Sequence, residues 1–173
     1  MSAEAAPQSV ATGQKFAQVC WVVRDIRAAE RFFTESLGTP AFLRMENLKA
    51  ADLEGTYKGE PADFEFHLYL CYSGETMLEL IQPISGKSIY ADFLDRHGGG
   101  GVQHVAFVVE EHELEAAVGS MVKKGHQIIT TLSLPVARVA YFDTYPEIGV
   151  ATEFIGLTDA GHDLVRALKS GDY

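Results

Sequence analysis

The chain has little of what marks several large classes of protein. Only two of its 173 residues are cysteine. Cys20 and Cys71 both sit inside alternating apolar stretches, so the disulfide framework that staples small secreted domains is not expected. Cations are scarce, with 14 Lys and Arg against 24 Asp and Glu and a net charge of −10. They are also scattered, which argues against nucleic acid, since its binding depends on cations that neutralise phosphates. Arg44, Lys49, Lys58 and Arg138 are the local cations that could still hold an anionic small substrate. No apolar run approaches the roughly 20 residues of a membrane helix. The start of the chain lacks the basic end and apolar centre of a secretory signal. Residues 1–15 are rich in Ala, Ser, Gln and Gly without periodicity and read as a mobile N-terminal tail. These absences point to a cytoplasmic, soluble protein with no nucleic-acid or membrane partner.

What is present is a theme stated twice. Gln18 to Ile26 (QVCWVVRDI) aligns with His104 to His112 (HVAFVVEEH) at a constant offset of 86 residues. Each stretch leads into a helical pattern, with apolar residues at Ile26, Ala29, Phe33 and Leu37 in the first copy and at Leu114, Ala117, Val118 and Met121 in the second. That spacing places one apolar stripe on one face of a helix. Gly38 and Gly125 close the two patterns, as the residue best suited to a left-handed helix end. A second match sets Met77 to Gln82 (MLELIQ) over Ala151 to Gly156 (ATEFIG), with Glu79 on Glu153 at an offset of 74. The shorter offset means shorter loops in the second copy.

A unit of one strand, one helix and further strands, roughly 60 to 75 residues, is too small to bury a comfortable core alone. Two such units should therefore pair, and 47% hydrophobic content suits one globular domain made of both. The organisation read from the chain is a first module over residues 16–83, a linker helix over 84–100, a second module over 101–157 and a C-terminal helix or tail over 158–173. Ser88 caps the linker helix, with Ile89, Phe93 and Leu94 inward, and the glycine run Gly98 to Gly101 ends it. That run follows a helix and precedes a strand, the reverse of a phosphate loop. In the C-terminal segment, Leu164, Val165 and Leu168 share one helical side and suggest a docking helix.

Strand alternation sets the chemistry. Successive side chains point to opposite faces, so Gln18 shares a face with Cys20, His104 with Ala106, Glu79 with Met77 and Ile81, and Glu153 with Ala151 and Ile155. Buried carboxylates are costly unless paired or bound to a cation. Glu79 and Glu153, with the imidazole of His104 and the amide of Gln18, would form a site for one divalent metal ion such as Zn, Ni, Co, Mn or Fe(II). The bland alternative is that both glutamates are exposed strand residues. Along Phe64 to Ser73 (FEFHLYLCYS), Glu65, His67, Tyr69 and Cys71 share a face, and His67, Tyr69 and Tyr141 are candidates for a substrate pocket.

With those residues in hand, Phe16 to Leu157 resembles the vicinal oxygen chelate superfamily, which includes glyoxalase I, methylmalonyl-CoA epimerase, extradiol dioxygenases and bleomycin-resistance proteins. The Gln, Glu, His, Glu set is similar to that of glyoxalase I. Leu78 to Pro83 (LELIQP) and Ser88 to Val109 (SIYADFLDRHGGGGVQHVAFVV) are similar to methylmalonyl-CoA epimerases. The resemblance implies an α+β fold in which two βαβββ modules pair into a curved mixed sheet with an open cleft. It also implies one divalent ion held by Gln18, Glu79, His104 and Glu153, with a homodimeric assembly. By the same resemblance the protein would be a metal-dependent isomerase, epimerase or lyase. Glu153 would abstract a proton next to a metal-bound carbonyl, giving an enediolate-like intermediate, and Glu79 would return it. The substrate implied is a small molecule such as a thioester or hemithioacetal. Two further classes stay open: an Fe(II) extradiol-type dioxygenase, and a metal-free ligand-binding or resistance protein.

Overall fold

The computed structural model describes residues 14–173. The tail expected over residues 1–15 lies almost wholly outside the described residues, and Lys15 already begins the first strand. The strands are β1 (Lys15–Val23), β2 (Leu43–Lys49), β3 (Thr56–Tyr57), β4 (Glu60–Pro61), β5 (Glu65–Ser73), β6 (Thr76–Ser85), β7 (Gly100–Glu110), β8 (Ile128–Leu134), β9 (Ala137–Phe142) and β10 (Ala151–Leu157). The helices are α1 (Ile26–Arg31), α2 (Ile89–His97), α3 (Leu114–Lys123), α4 (Tyr145–Ile148) and α5 (Asp159–Ser170).

All ten strands join one curled mixed sheet in the order β2-β5-β6-β1-β7-β10-β9-β8-β3-β4. Each module repeats one connection. β1 leads through α1 to the β2-β5-β6 meander and lies parallel to β6, and β7 leads through α3 to β8-β9-β10 and lies parallel to β10. The modules meet edge to edge through the antiparallel pair β1 and β7. The four strands that carry the matched polar residues, β6, β1, β7 and β10, are therefore the adjacent centre of the sheet.

Alternation then sorts the apolar residues into three cores. Leu78, Leu80 and Ile26 pack with Trp21 and Phe33 beneath α1. Val109, Phe142 and Phe154 pack beneath α3 with Leu114, Ala117, Val118 and Met121. The largest cluster fills the concave side of the sheet. The first helix departs from its simple stripe. After Arg31 it widens into a π turn over Phe32–Ser36, which shifts the phase and leaves Leu37 exposed while Phe33 stays stacked edge-on against Trp21 at 5.1 Å.

Two features narrow the cleft. After β2, a 3₁₀ turn over Ala50–Leu53 carries the chain across to the far end of the sheet, where β3 pairs with β8 at Thr56↔Thr131. At the mouth lies α5, its N-cap Thr158 accepting from the Gly161 amide. Its buried face holds Leu168, with Leu164 and Val165 packed against the concave core. Among the described residues no helix is long and apolar enough to cross a membrane.

Candidate metal centre

Gln18, Glu79, His104 and Glu153 are all buried on the concave side of the sheet, and the fold brings them to one point. The Gln18 amide nitrogen lies 3.0 Å from Glu79 Oε2, 3.1 Å from Glu153 Oε2 and 3.3 Å from His104 Nε2. His104 Nε2 lies 3.0 Å from Glu79 Oε2 and 3.2 Å from Glu153 Oε2. Strand pairing explains the convergence: Cys20 is opposite both Glu79 and His104, and Ala106 is opposite both Gln18 and Glu153. Each ligand-type side chain thus comes from a different strand at nearly the same height.

These separations fit a shared cation. Neighbouring ligands of an ion bound at roughly 2.0–2.2 Å stand about 2.8–3.6 Å apart in tetrahedral or octahedral shells. The donor set fits too, with two carboxylates, one imidazole and one carboxamide. The carboxamide, turned by half a rotation, presents Oε1 in place of its NH₂. In the structure the Gln18 amide donates to both carboxylates. Burial disfavours a charged imidazole at His104, yet the two glutamates outweigh it and push His104 up to about 9. Burial raises Glu153 above the ordinary carboxyl range, and the imidazole only partly offsets that.

His104 is oriented from behind. Its Nδ1 is 2.6 Å from Gln103 Oε1, and the Gln103 amide in turn donates to the Tyr145 hydroxyl at 2.9 Å. An acceptor at Nδ1 holds a proton there and turns Nε2 toward the carboxylates, the usual arrangement behind a metal-binding histidine. Gln103 reaches this place because the β1-β7 register slips between Cys20 and Trp21, so β7 has one more residue than its partner and adjacent Gln103 and His104 are both fully buried. Sequence reading passed over Gln103, since strict alternation sends it to the other face; its adjacency to His104 was the available signal. Cys20, which alternation places on the face of Gln18, was not counted among the ligands. Its thiol lies with Glu79 and His104, all within 4.8 Å of one another, and burial first, then Glu79, raise it well above the usual thiol range.

Tyr141, expected in the pocket, stands at the centre. Its ring meets His104 edge-on at 5.0 Å between centroids, and its hydroxyl accepts from Tyr90 at 3.2 Å. Burial and then the charge of Glu153 raise it well above the ordinary phenol range. The other two pocket candidates are corrected. His67 and Tyr69 point to the convex side, because the residues of β5 that face the cavity are Phe66, Leu68 and Leu70. His67 Nδ1 accepts from the Asn47 backbone at 3.0 Å, and the Tyr69 hydroxyl donates to Glu46. Alternation grouped them properly but did not say which side was concave. The cations suggested for an anionic substrate lie elsewhere as well. Arg44 pairs with Glu30, Arg138 with Glu115 and Lys58 with Asp92, while Lys49 is exposed at the end of β2.

The sequence model of the Glyoxalase/Bleomycin resistance protein/Dioxygenase superfamily matches residues 17–140. The chain belongs to that superfamily. Among solved structures it is similar to a hypothetical protein of Bacillus halodurans C-125, at 23% identity over 84% of this chain and 96% of that one, TM-score 0.62. It is likewise similar to methylmalonyl-CoA epimerase from Mycobacterium tuberculosis, at 18% identity over 92% and 97%, TM-score 0.61. A Streptomyces coelicolor methylmalonyl-CoA epimerase variant in complex with 2-nitronate-propionyl-CoA gives 18% identity over 86% and 97%, TM-score 0.57. At these identities the likeness establishes the fold. Comparison with curated proteins gives no match.

Proposed function

We propose that the chain is a metal-dependent isomerase, epimerase or lyase that moves a proton at a carbon next to a carbonyl. The observation that carries this reading is the convergence of Gln18, Glu79, His104 and Glu153 within 3.0–3.3 Å at the floor of a cavity. A divalent ion held by these four would supply Lewis-acid polarisation of the substrate's carbonyl oxygen. Glu153 Oε2 takes the proton from the adjacent carbon. Glu79, on β6, stands on the other side of the β1-β7 pair from Glu153 on β10, so it is placed to return a proton from the opposite flank. Gln18 and His104 stay fixed, the latter through Gln103.

Two observations favour this reading over its alternatives. A two-histidine, one-carboxylate iron site needs a second imidazole, and the site contains only His104, with His67 on the far side of the sheet. The metal-free binding reading gives no reason to bury two carboxylates beside one imidazole. A small-molecule substrate, a cytoplasmic setting and a homodimer complete the proposal.

The test has two parts. Metal analysis of purified protein should find about one divalent ion per chain, a stoichiometry set by one four-ligand site. With thioester and hemithioacetal candidates assayed in deuterated water, the correct substrate should exchange its proton with solvent without consuming oxygen. Consumption of one oxygen molecule per turnover would replace the isomerase by the dioxygenase. A purified protein with no bound divalent ion, unable to take one up, would leave the ligand-binding reading.

A further inference from the structure

The cavity above the quartet is of about 70 Å³, room for a few water-sized atoms, and its wall is almost wholly apolar. Gln18, Glu79 and Glu153 form its floor and Tyr141 with Tyr90 one side. The rest of the barrel wall is aliphatic or aromatic, with Leu68, Leu132, Val139 and Ile155 typical of it. No Lys or Arg lines the cavity, and the thirteen residues outside the description contain none either. The lid is apolar as well, since α5 presents Leu164, Val165 and Leu168 to the same space and turns Asp163, Arg166 and Lys169 to solvent.

The two ends of that lid are held differently. At its start, the Thr158 hydroxyl donates to Pro135 O at 3.0 Å and the Thr158 amide to Val136 O at 3.2 Å. Gly161 is seated so closely that a Cβ there would lie 2.0 Å from Val136 O. At its end, α5 is tied by Lys169, which pairs with exposed Glu75 at 2.6 Å and lies over Tyr72. Exposed ion pairs contribute little stability. The C-terminal turns are held instead by burial of Leu168 in the concave core and by Tyr173, whose hydroxyl donates to Ala41 O.

From this we infer the substrate class of the proposed site: a compact, uncharged carbonyl compound with an aliphatic or aromatic body, enclosed between the barrel wall and α5. An anionic group on that body would be buried without a partner, which costs far more than burying a methyl group gains. A long polar arm such as that of a coenzyme A thioester finds neither cations nor a polar channel there. The inference rests on the proposed function for the carbonyl end and adds the nature of the rest of the molecule.

A matched pair of ligands tests it on the full chain. 2-Hydroxyhexan-3-one and 5-hydroxy-4-oxohexanoate share one skeleton and differ only in a terminal methyl or carboxylate. Calorimetric titration into zinc-loaded protein should show the neutral ketone binding about tenfold tighter or more, the ratio set by desolvation of the unpaired carboxylate. Val165→Lys, which brings an ammonium to the lid, should shift that ratio toward the carboxylate. The wild-type comparison decides the matter even if the variant undocks α5. Equal affinity, preference for the anion, tighter binding of propionyl-coenzyme A than of the ketone, or no uptake of the ketone at millimolar concentration overturns the inference. Metal content, measured on the same samples, reports separately on the proposed function.

Discussion

Gln18 and His104 occupy matching places in β1 and β7, yet their surroundings differ. The side chain of Gln18 hydrogen-bonds to the other three members of the quartet. His104 is also held from behind through Gln103 and Tyr145. The repeat places both side chains at the same height on the same face, and a single extra residue in β7 creates the support that only the second copy has. Duplication thus transmits where a ligand stands, while a local irregularity decides how firmly it is held. The same contrast divides Glu79 from Glu153, which match by position but are given opposite duties in the proposed reaction.

The sharpest way to break the carboxylate symmetry is Glu153→Gln. It keeps the size and an oxygen ligand while removing the base, so turnover should fall about 10²-fold or more with metal content retained. Glu79→Gln should reduce turnover without abolishing washout of the substrate proton into deuterated solvent. Full turnover in Glu153→Gln would make Glu153 a ligand only and transfer the role of base to Glu79. Metal content sharpens the comparison between β1 and β7. His104→Ala should remove most of the bound divalent ion, and Gln18→Ala a smaller part, because the buttressed imidazole is the better fixed of the two. Equal metal content in His104→Ala and the parent would end the metal reading.

Removing the buttress isolates it from the ligand. Gln103→Leu leaves all four quartet residues in place and frees Nδ1, and the loss of an outer partner typically weakens metal binding about 10- to 100-fold. A competition titration with a chromophoric chelator reads this directly. Unchanged affinity would mean that the bulge orients His104 without help from the Gln103 side chain.

Much of this was legible in the sequence because it follows from local periods. The two repeats, the quartet at offsets of 86 and 74, the Ser88 cap of α2 and the apolar stripe of α5 all depend on neighbours within a few residues. What escaped is non-local. β3 and β4 have two residues each and no period, and they form only because β8 offers an edge. Gln103 becomes visible only when the register of β7 against β1 is known. His67 and Tyr69 were grouped by parity, but the concave side of a sheet is a property of the assembled barrel. The π turn that exposes Leu37 likewise depends on how α1 settles on Trp21 and Phe42.

The lid gives a prediction of intermediate size. In Gly161→Ala the new methyl must push α5 away from Val136 O, a close approach to backbone that cannot yield by rotating a side chain. Overpacking of this kind costs about 1–3 kcal/mol. For a domain of this length, that corresponds to a melting temperature lower by about 2–12 °C, measurable by calorimetry. An unchanged melting temperature would show that the start of α5 is not anchored.

The smallest effect expected is on the cysteines, where the comparison runs between the two faces of the sheet. Cys20 lies on the concave face by the quartet and Cys71 on the convex face in the core beneath α1, and both are fully buried. Burial pushes the Cys71 thiol up to about 11. A thiol with that value is ionised to only about one part in a thousand at pH 8, and the thiolate is the reactive form. Alkylation by iodoacetamide should therefore be negligible in the folded protein at pH 8 and rise about tenfold per pH unit below pH 11. The sign for stability follows from the same shift. The folded value is raised above the unfolded one, so the contribution of Cys71 is fully present below pH about 9 and is lost as pH rises through about 11. Mass spectrometry of the intact chain after labelling checks both thiols at once. Rapid modification of Cys71 at pH 8 would mean that α1 opens readily from the convex face, and that the π turn at its end marks a mobile helix rather than a settled one.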